Sequence, residues 1–243
     1  MTSRSRVAAD QLVLPLDEQP AAPMTDIPGP GRSTAMLPGH GTQPFDDEGW
    51  FFEPWWPGVL ATIVIDDGRV TLMAGQLADP LPAFPELRSV AGQVRSRRAV
   101  IPGTLLVLDS DGRPDPAALR ARLAGENVRG GAFSGTGAFI CADLIDRDGR
   151  SLADLPFGGR RAALLELVVD GDQFLSSRGL RGEGRTLADA AASMGIESVS
   201  ARRLDAPWRP GVAAESWLRL PVVGTSVGPT RPLLVLLQRL PLD

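Results

Sequence analysis

The stretch VLATIVIDDGRVTLMAG, residues 59 to 75, constrains the fold of this chain more than any other. Two apolar, β-branched runs flank Asp67-Gly68, a pair that accepts the positive φ values of a tight turn, so the segment reads as an antiparallel hairpin. TLLVLD, GAFICADLID, ESVSARRL, SWLRLPV and PLLVLLQRL further along read as strands, and SDG at 110 to 112 as a second turn. By contrast, FPELRSVAGQVR (84 to 95) spaces Phe84, Leu87, Val90 and Val94 at helical intervals. PAALRARLA, the segment following DGRSLADLP, and TLADAAASMG are helical as well. Hairpins interspersed with helices predict an α+β domain, and no repeat of 20 to 50 residues argues otherwise.

With 243 residues, 43% of them hydrophobic, the chain can bury a substantial core in one large domain. Residues 1 to 43 carry Pro, Gly, Ser and Thr without a sustained period, which predicts a disordered arm and leaves 44 to 243 as the domain. Within the arm, QLVLPL (11 to 16) is either a docking peptide or an incidental apolar cluster. His40, the only histidine, sits between glycines in LPGHGT and reads as a solvated loop residue, not a base or metal ligand. The single cysteine, Cys141, excludes an internal disulfide and a cysteine-rich zinc site, and its place in AFICADLI predicts a small buried hydrophobe. No run approaches the ~18 apolar residues that cross a bilayer, so the expectation is a cytoplasmic protein with no membrane partner. The net charge of −4 carries no global footprint for nucleic acid.

All 25 cationic residues are arginine, which excludes lysine-based covalent chemistry. Against that background FFEPWWPG (51 to 58) stands out, since it places two of only five tryptophans beside two prolines just before the first patterned strand. Trp55 and Trp56 either fill a cleft, burying ~150–250 Å² per ring, or form a surface pair that anchors a turn. The arginine clusters at 95, 97 and 98, at 160 and 161, and at 202, 203 and 209 read as solvated helix and turn charges or as phosphate grips.

Four stretches in order, FDDEGWFFEPWWPGVL, PGTLLVLDSDGRPDPAAL, CADLIDRDGRSLADLPFGGRRAAL and GIESVSARRLDAPWRPGVAAESWLRLP, resemble the adenylation (nucleotidyltransferase) domain of ATP-dependent DNA ligases, especially the ligase module of bacterial end-joining enzymes. The resemblance covers residues 44 to 222. It implies an ATP-grasp-like nucleotidyltransferase fold of two antiparallel sheets with flanking helices. About twenty residues follow SWLRLPV, too few for a C-terminal OB-fold, and none is expected.

The same resemblance implies a lysine nucleophile that attacks the α-phosphorus of ATP, and Trp55 stands at that position. An indole N–H donates hydrogen bonds and cannot serve as a nucleophile. Pro57 and Gly58 stand where the family has aspartate and glycine, Leu60 where it has arginine, Thr104 where a glutamate meets the ribose, and Ala142 where an aromatic stacks on adenine. Pro102 replaces an aspartate, and Arg219 and Pro221 replace two lysines. Glu53 is kept before the lysine motif, Glu197 is the acidic residue placed near the metal, and Arg202 retains a cation at a phosphate-contacting position. Glu53, Glu197, Arg202 and Arg219 are therefore the cofactor-binding residues the resemblance implies, with ATP and Mg²⁺ held weakly. Arg202 and Arg219 form either a residual anion site or a pair of strand-end surface charges. The expectation is a pseudo-ligase without catalytic residues or a metal centre, with DNA or a DNA-repair protein as partner. The competing readings are a noncovalent ATP-binding protein or an enzyme that acts on nucleic acid with a partner, and a structural interaction module that uses the arm.

Overall fold

The protein is described by a computed structural model that covers residues 35–75, 77, 79–125, 134–224 and 232–242. The apolar stretch at 11 to 16 lies outside the described residues. Two short strands, β1 (Met36–Leu37) and β2 (Gly39–His40), precede β3 (Asp46–Pro54). They lie before the expected domain boundary at 43, and both pair with strands of the fold. His40 is exposed, as expected, but it belongs to a strand and not to a loop.

The hairpin forms as read, with β4 (Val59–Asp66) and β5 (Arg69–Met73) in register from Thr62 opposite Met73 to Asp66 opposite Arg69. Asp67 and Gly68 turn the chain at φ values of 47° and 82°, a left-handed region that glycine enters for lack of a Cβ and aspartate tolerates. Pro85–Gln93 is a 3-10 helix, not the α-helix expected. Phe84, Leu87 and Val90, all fully buried, recur every three residues, which is the period of the 3-10 helix and not the 3.6 of the α-helix. β6 (Arg98–Leu108) leads to α1 (Pro116–Leu123), whose start is fixed by the Asp115 carboxylate accepting from the amides of Ala117 and Ala118 at 3.0 Å.

The chain continues through β7 (Thr136–Cys141), the small β8 (Asp146–Arg147) and β9 (Arg150–Ser151) hairpin, and α2 (Phe157–Leu167). β10 (Phe174–Ser176), β11 (Leu180–Glu183) and α3 (Gly184–Ser193) follow. Last come β12 (Ser198–Arg203), β13 (Gly211–Val212), β14 (Trp217–Pro221) and α4 (Leu233–Gln238). The run PLLVLLQRL, read as a strand, is this last helix. An uninterrupted apolar run does not discriminate the two, and here Leu233, Leu236 and Leu237 bury one helical face, with Leu240 buried just beyond it.

Two main sheets carry the architecture, in the orders β10-β7-β6-β4-β5 and β11-β3-β12-β14-β2. Antiparallel pairing dominates, but β7–β10, β2–β14 and the separate β1–β13 pair are parallel, which corrects the all-antiparallel expectation. The β7–β10 pairing is possible because α2 supplies the crossover that parallel neighbours require. Alternation along β6 sends Leu105 and Val107 to a core under the 3-10 helix and α2, and Leu106 and Leu108 to the layer between the sheets. That inner layer is completed by Phe52, Val199, Ala201 and Leu220 from the second sheet and by the buried faces of α3 and α4. Cys141 is fully buried; burial, with the nearby Asp170 charge, pushes its thiol pKa well above the ordinary value and leaves it an unreactive hydrophobe. No described helix is long and apolar enough to cross a membrane, and the described strands form no closed barrel.

If α4 seals the inner core, Leu236→Ala should destabilise the fold by ~2–5 kcal/mol in urea denaturation, the range for emptying a buried leucine site. Leu234→Ala, on the exposed side of the same helix, should change stability by less than about 0.5 kcal/mol.

Candidate functional site

A cavity of about 80 Å³ opens between the two sheets at the point where β3 ends. Register explains its composition. Glu53 lies opposite Ser200, which lies opposite Arg219, while Phe51, Arg202 and Trp217 form the next row across the same three strands. Paired residues share a face, so the period of two gathers Glu53, Ser200, Arg202, Trp217 and Arg219 on one side and sends Phe52, Val199, Ala201 and Leu220 into the core on the other. The larger sheet supplies the facing wall, where Leu60, Thr104 and Ile140 form one row and Thr62 and Pro102 another. Trp55, Trp56 and Trp208 close the sides, and Ala142 continues the apolar wall.

The polar wall is a chain of buried ion pairs. Arg202 lies 3.3 Å from Glu53 through Nε and 3.5 Å from Asp143 through Nη1. Asp143 in turn receives two parallel bonds from Arg160, at 2.8 and 2.9 Å, and the amide of Leu144. Arg160 also donates to the carbonyls of Leu155 and Ala206, so its fork is well occupied although only 1% of it is exposed. Ser177 and Ser200 hydroxyls donate to the two oxygens of Glu53 at 2.5 and 3.3 Å, and the Trp217 indole donates to the Ser200 hydroxyl at 2.9 Å. The Arg202 guanidinium stacks 4.1 Å over Trp217.

The structure therefore brings three of the four sequence-implied residues together and leaves one apart. Glu53 and Arg202 are buried partners of each other, and Arg202 is neither a surface charge nor an open anion site. Arg219 is half-buried at the rim, 4.8 Å over the Trp55 ring and bonded to the Ser198 hydroxyl. Glu197 is exposed, does not line the cavity, and contributes its carbonyl to the amide of Val222. Both tryptophans of FFEPWWPG line the cavity: Trp56 is 4% exposed and Trp55 half-buried, which favours the cleft over the surface pair. Leu60, Pro102, Thr104 and Ala142 line it as the resemblance implied.

Sequence reasoning missed Asp143, and neither of its readings of Arg160 and Arg161, solvated helix charges or phosphate grips, describes the buried pair found here. Arg161 is 3% exposed, 4.0 Å over the Phe51 ring, and donates to the carbonyls of Ser177 and Leu242. The available signal was an aspartate in the apolar end of a strand, followed by arginines at the start of an apolar helix without adjacent acids. Of the other clustered arginines, Arg97 pairs with Asp67, Arg98 with Asp66, Arg203 with Asp205 and Arg209 with Asp154.

These residues do not fit a nucleotide triphosphate with its metal. The cavity's one deep cation is held by two carboxylates, and the wall facing it presents leucine, threonine and alanine.

Two sheets packed over a cleft with a buried acid–arginine wall define the class, a nucleotidyltransferase domain. No family model matches the chain. It is 30% identical over 185 residues to the multifunctional non-homologous end joining DNA repair protein LigD of Mycobacterium tuberculosis, covering 76% of this chain and 23% of that protein. It is 32% identical over 177 residues to a probable DNA ligase of Streptomyces griseus, covering 69% of this chain and 35% of that one. Among solved structures, a mycobacterial DNA ligase D complexed with ATP and MES superposes with a TM-score of 0.63 at 27% identity, over 76% of this chain and 59% of that one. The chain thus spans about a quarter to a third of the length of these curated relatives. It carries the adenylation-domain fold of the ATP-dependent DNA ligase family.

Trp56→Ala should cost ~3–5 kcal/mol in urea denaturation, as expected for emptying a buried aromatic site, and Trp55→Ala only about 1–2 kcal/mol for its half-buried ring. Asp143→Asn, which leaves Arg160 buried without a counter-charge, should cost ~3–5 kcal/mol by the same measurement.

Proposed function

We propose that this chain is a pseudo-ligase: an adenylation-domain fold without self-adenylation that serves as a binding or regulatory protein in DNA repair, in the cytoplasm, with DNA or a repair protein as its partner. The observation that carries the reading is Trp55, which lines the cavity at the position where the family's nucleophilic lysine is expected, in a sequence that contains no lysine. Neighbouring substitutions point the same way. Leu60, Thr104 and Ala142 offer neither charge nor ring to a nucleotide, and Arg202 is engaged by Glu53 and Asp143. In this reading Glu53 and Arg202 hold the cavity wall together, while Arg219 is the one cofactor-site cation that keeps access to the rim. The DNA-repair setting rests on similarity to proteins that carry that name.

Incubation with α-labelled ATP and Mg²⁺ should leave no acid-stable label on the protein, and calorimetric titration should show no saturable binding in the micromolar range. Label on the denatured chain would overturn the reading outright. Saturable binding without label would replace it by a noncovalent nucleotide-binding protein. Trp55→Lys should also remain unlabelled, because the groups of a catalytic unit act non-additively and Thr104, Ala142 and Pro221 are unchanged in the variant.

A further inference from the structure

The segment Ala35–Gly41 runs across the cavity as a strap. Its backbone is stitched to two different elements. The amides of Gly211 and Ala213 donate to the carbonyls of Ala35 and Leu37 at 3.0 and 2.9 Å, and the amide of Gly41 donates to the carbonyl of Arg219 at 3.0 Å. Close approach depends on glycine: a Cβ at Gly39 would lie 2.6 Å from the Cβ and 2.7 Å from the Cα of Ala214, so strap or loop would have to move. Ala35 and Met36 line the cavity. Met36, 5% exposed, packs with Trp208 and Trp217 and also borders the small hollow formed by Asp143, Arg160 and Arg202. Met36, the larger of the two strap side chains that line the cavity, thus lies between the tryptophan walls and the buried cation.

We propose that this strap is a built-in closure of the cavity, with Met36 as its stopper, and that displacing Ala35–Gly41 opens the tryptophan-lined space to small molecules. The closure is read from the geometry. It rests on the pseudo-ligase reading only in identifying the cavity with the family's nucleotide site. Several features suit a device that can be released. The β1 and β2 strands are two residues each, they hold the sheet edge through a few backbone bonds, and short edge pairings are the elements that open locally at low free-energy cost. A flexible thioether adapts to an irregular aromatic hollow without a directional bond to break.

Four of the five tryptophans, Trp55, Trp56, Trp208 and Trp217, line the cavity, so acrylamide quenching of intrinsic fluorescence reports its opening directly. In the full chain, Gly39→Val should raise the quenching constant about twofold while circular dichroism keeps its native form, as expected for local and not global opening. Met36→Ala, which removes the stopper and adds no atom, should raise it in the same direction by a smaller factor. Unchanged quenching in a folded Gly39→Val protein would overturn the closure. Loss of native circular dichroism in both variants would overturn it too, since the strap would then be part of the core. Quenching is read without nucleotide, so its outcome is separate from that of the labelling experiment: an opened cavity that still takes no label leaves both readings standing, and label on an opened cavity removes only the pseudo-ligase reading.

Discussion

The chain of buried charges from Glu53 through Arg202 and Asp143 to Arg160 is the constraint on which the site depends. It ties β3, β12, the segment after β7 and the first turn of α2 to one another across the gap between the sheets. Taking four charges out of water costs several kcal/mol for each ion, so such a chain persists only where every group is matched. Here two acids stand against two arginines, with hydroxyl and amide donors on the acids and carbonyl acceptors for Arg160, while Arg202 Nε pairs with Glu53 by charge without a hydrogen bond. The consequence for chemistry is direct. An incoming phosphate that recruited Arg202 would leave Glu53 and Asp143 facing each other without their shared cation.

Much of this was legible in the sequence because local rules and global fold agree. Asp67-Gly68 sets its hairpin, PAALRARLA forms α1, and the four ligase-like stretches bring Glu53, Trp55, Leu60, Thr104 and Ala142 to one cleft. The errors have separate physical causes. PLLVLLQRL carries no period that separates a buried strand from a buried helix, so only packing decides it. The parallel edges depend on which segment happens to reach a sheet margin, as Gly39–His40 does at β14, and two-residue pairings leave no pattern. Arg160 and Arg161 were misplaced because arginine is ordinarily solvated. Their burial depends on Asp143 and Phe51, which are 17 and 110 positions away in the chain.

The two walls of the cavity differ in a way that physical chemistry accounts for. On the wall formed by β3, β12 and β14, acid and arginine hold each other, so replacing either one alone strands a buried charge. On the facing wall, a leucine at 60, a threonine at 104 or an alanine at 142 strands nothing, because each of these residues is neutral and small enough to fit against the sheet. Glu53 and Arg202 therefore have a role in the fold that does not depend on any ligand, and their presence alone is poor evidence that a nucleotide is bound.

A wall without charge exposes apolar surface to the cavity, here Leu60, Met73, Ile140, Ala142 and the indoles of Trp55, Trp208 and Trp217. Burial of apolar area stabilises by roughly 25 cal/mol per Å², so any segment able to cover the cleft is drawn to it. Trp56 covers it from within and Met36 from the strap side, leaving about 80 Å³ between them. The two contributions differ in kind. Trp56 is anchored by the inner core and cannot leave without unfolding it, whereas Met36 is carried by a two-residue strand paired only with the equally short β13. A cleft closed by one fixed and one releasable group retains the means to open, and that asymmetry separates this cavity from a pocket that has simply been filled.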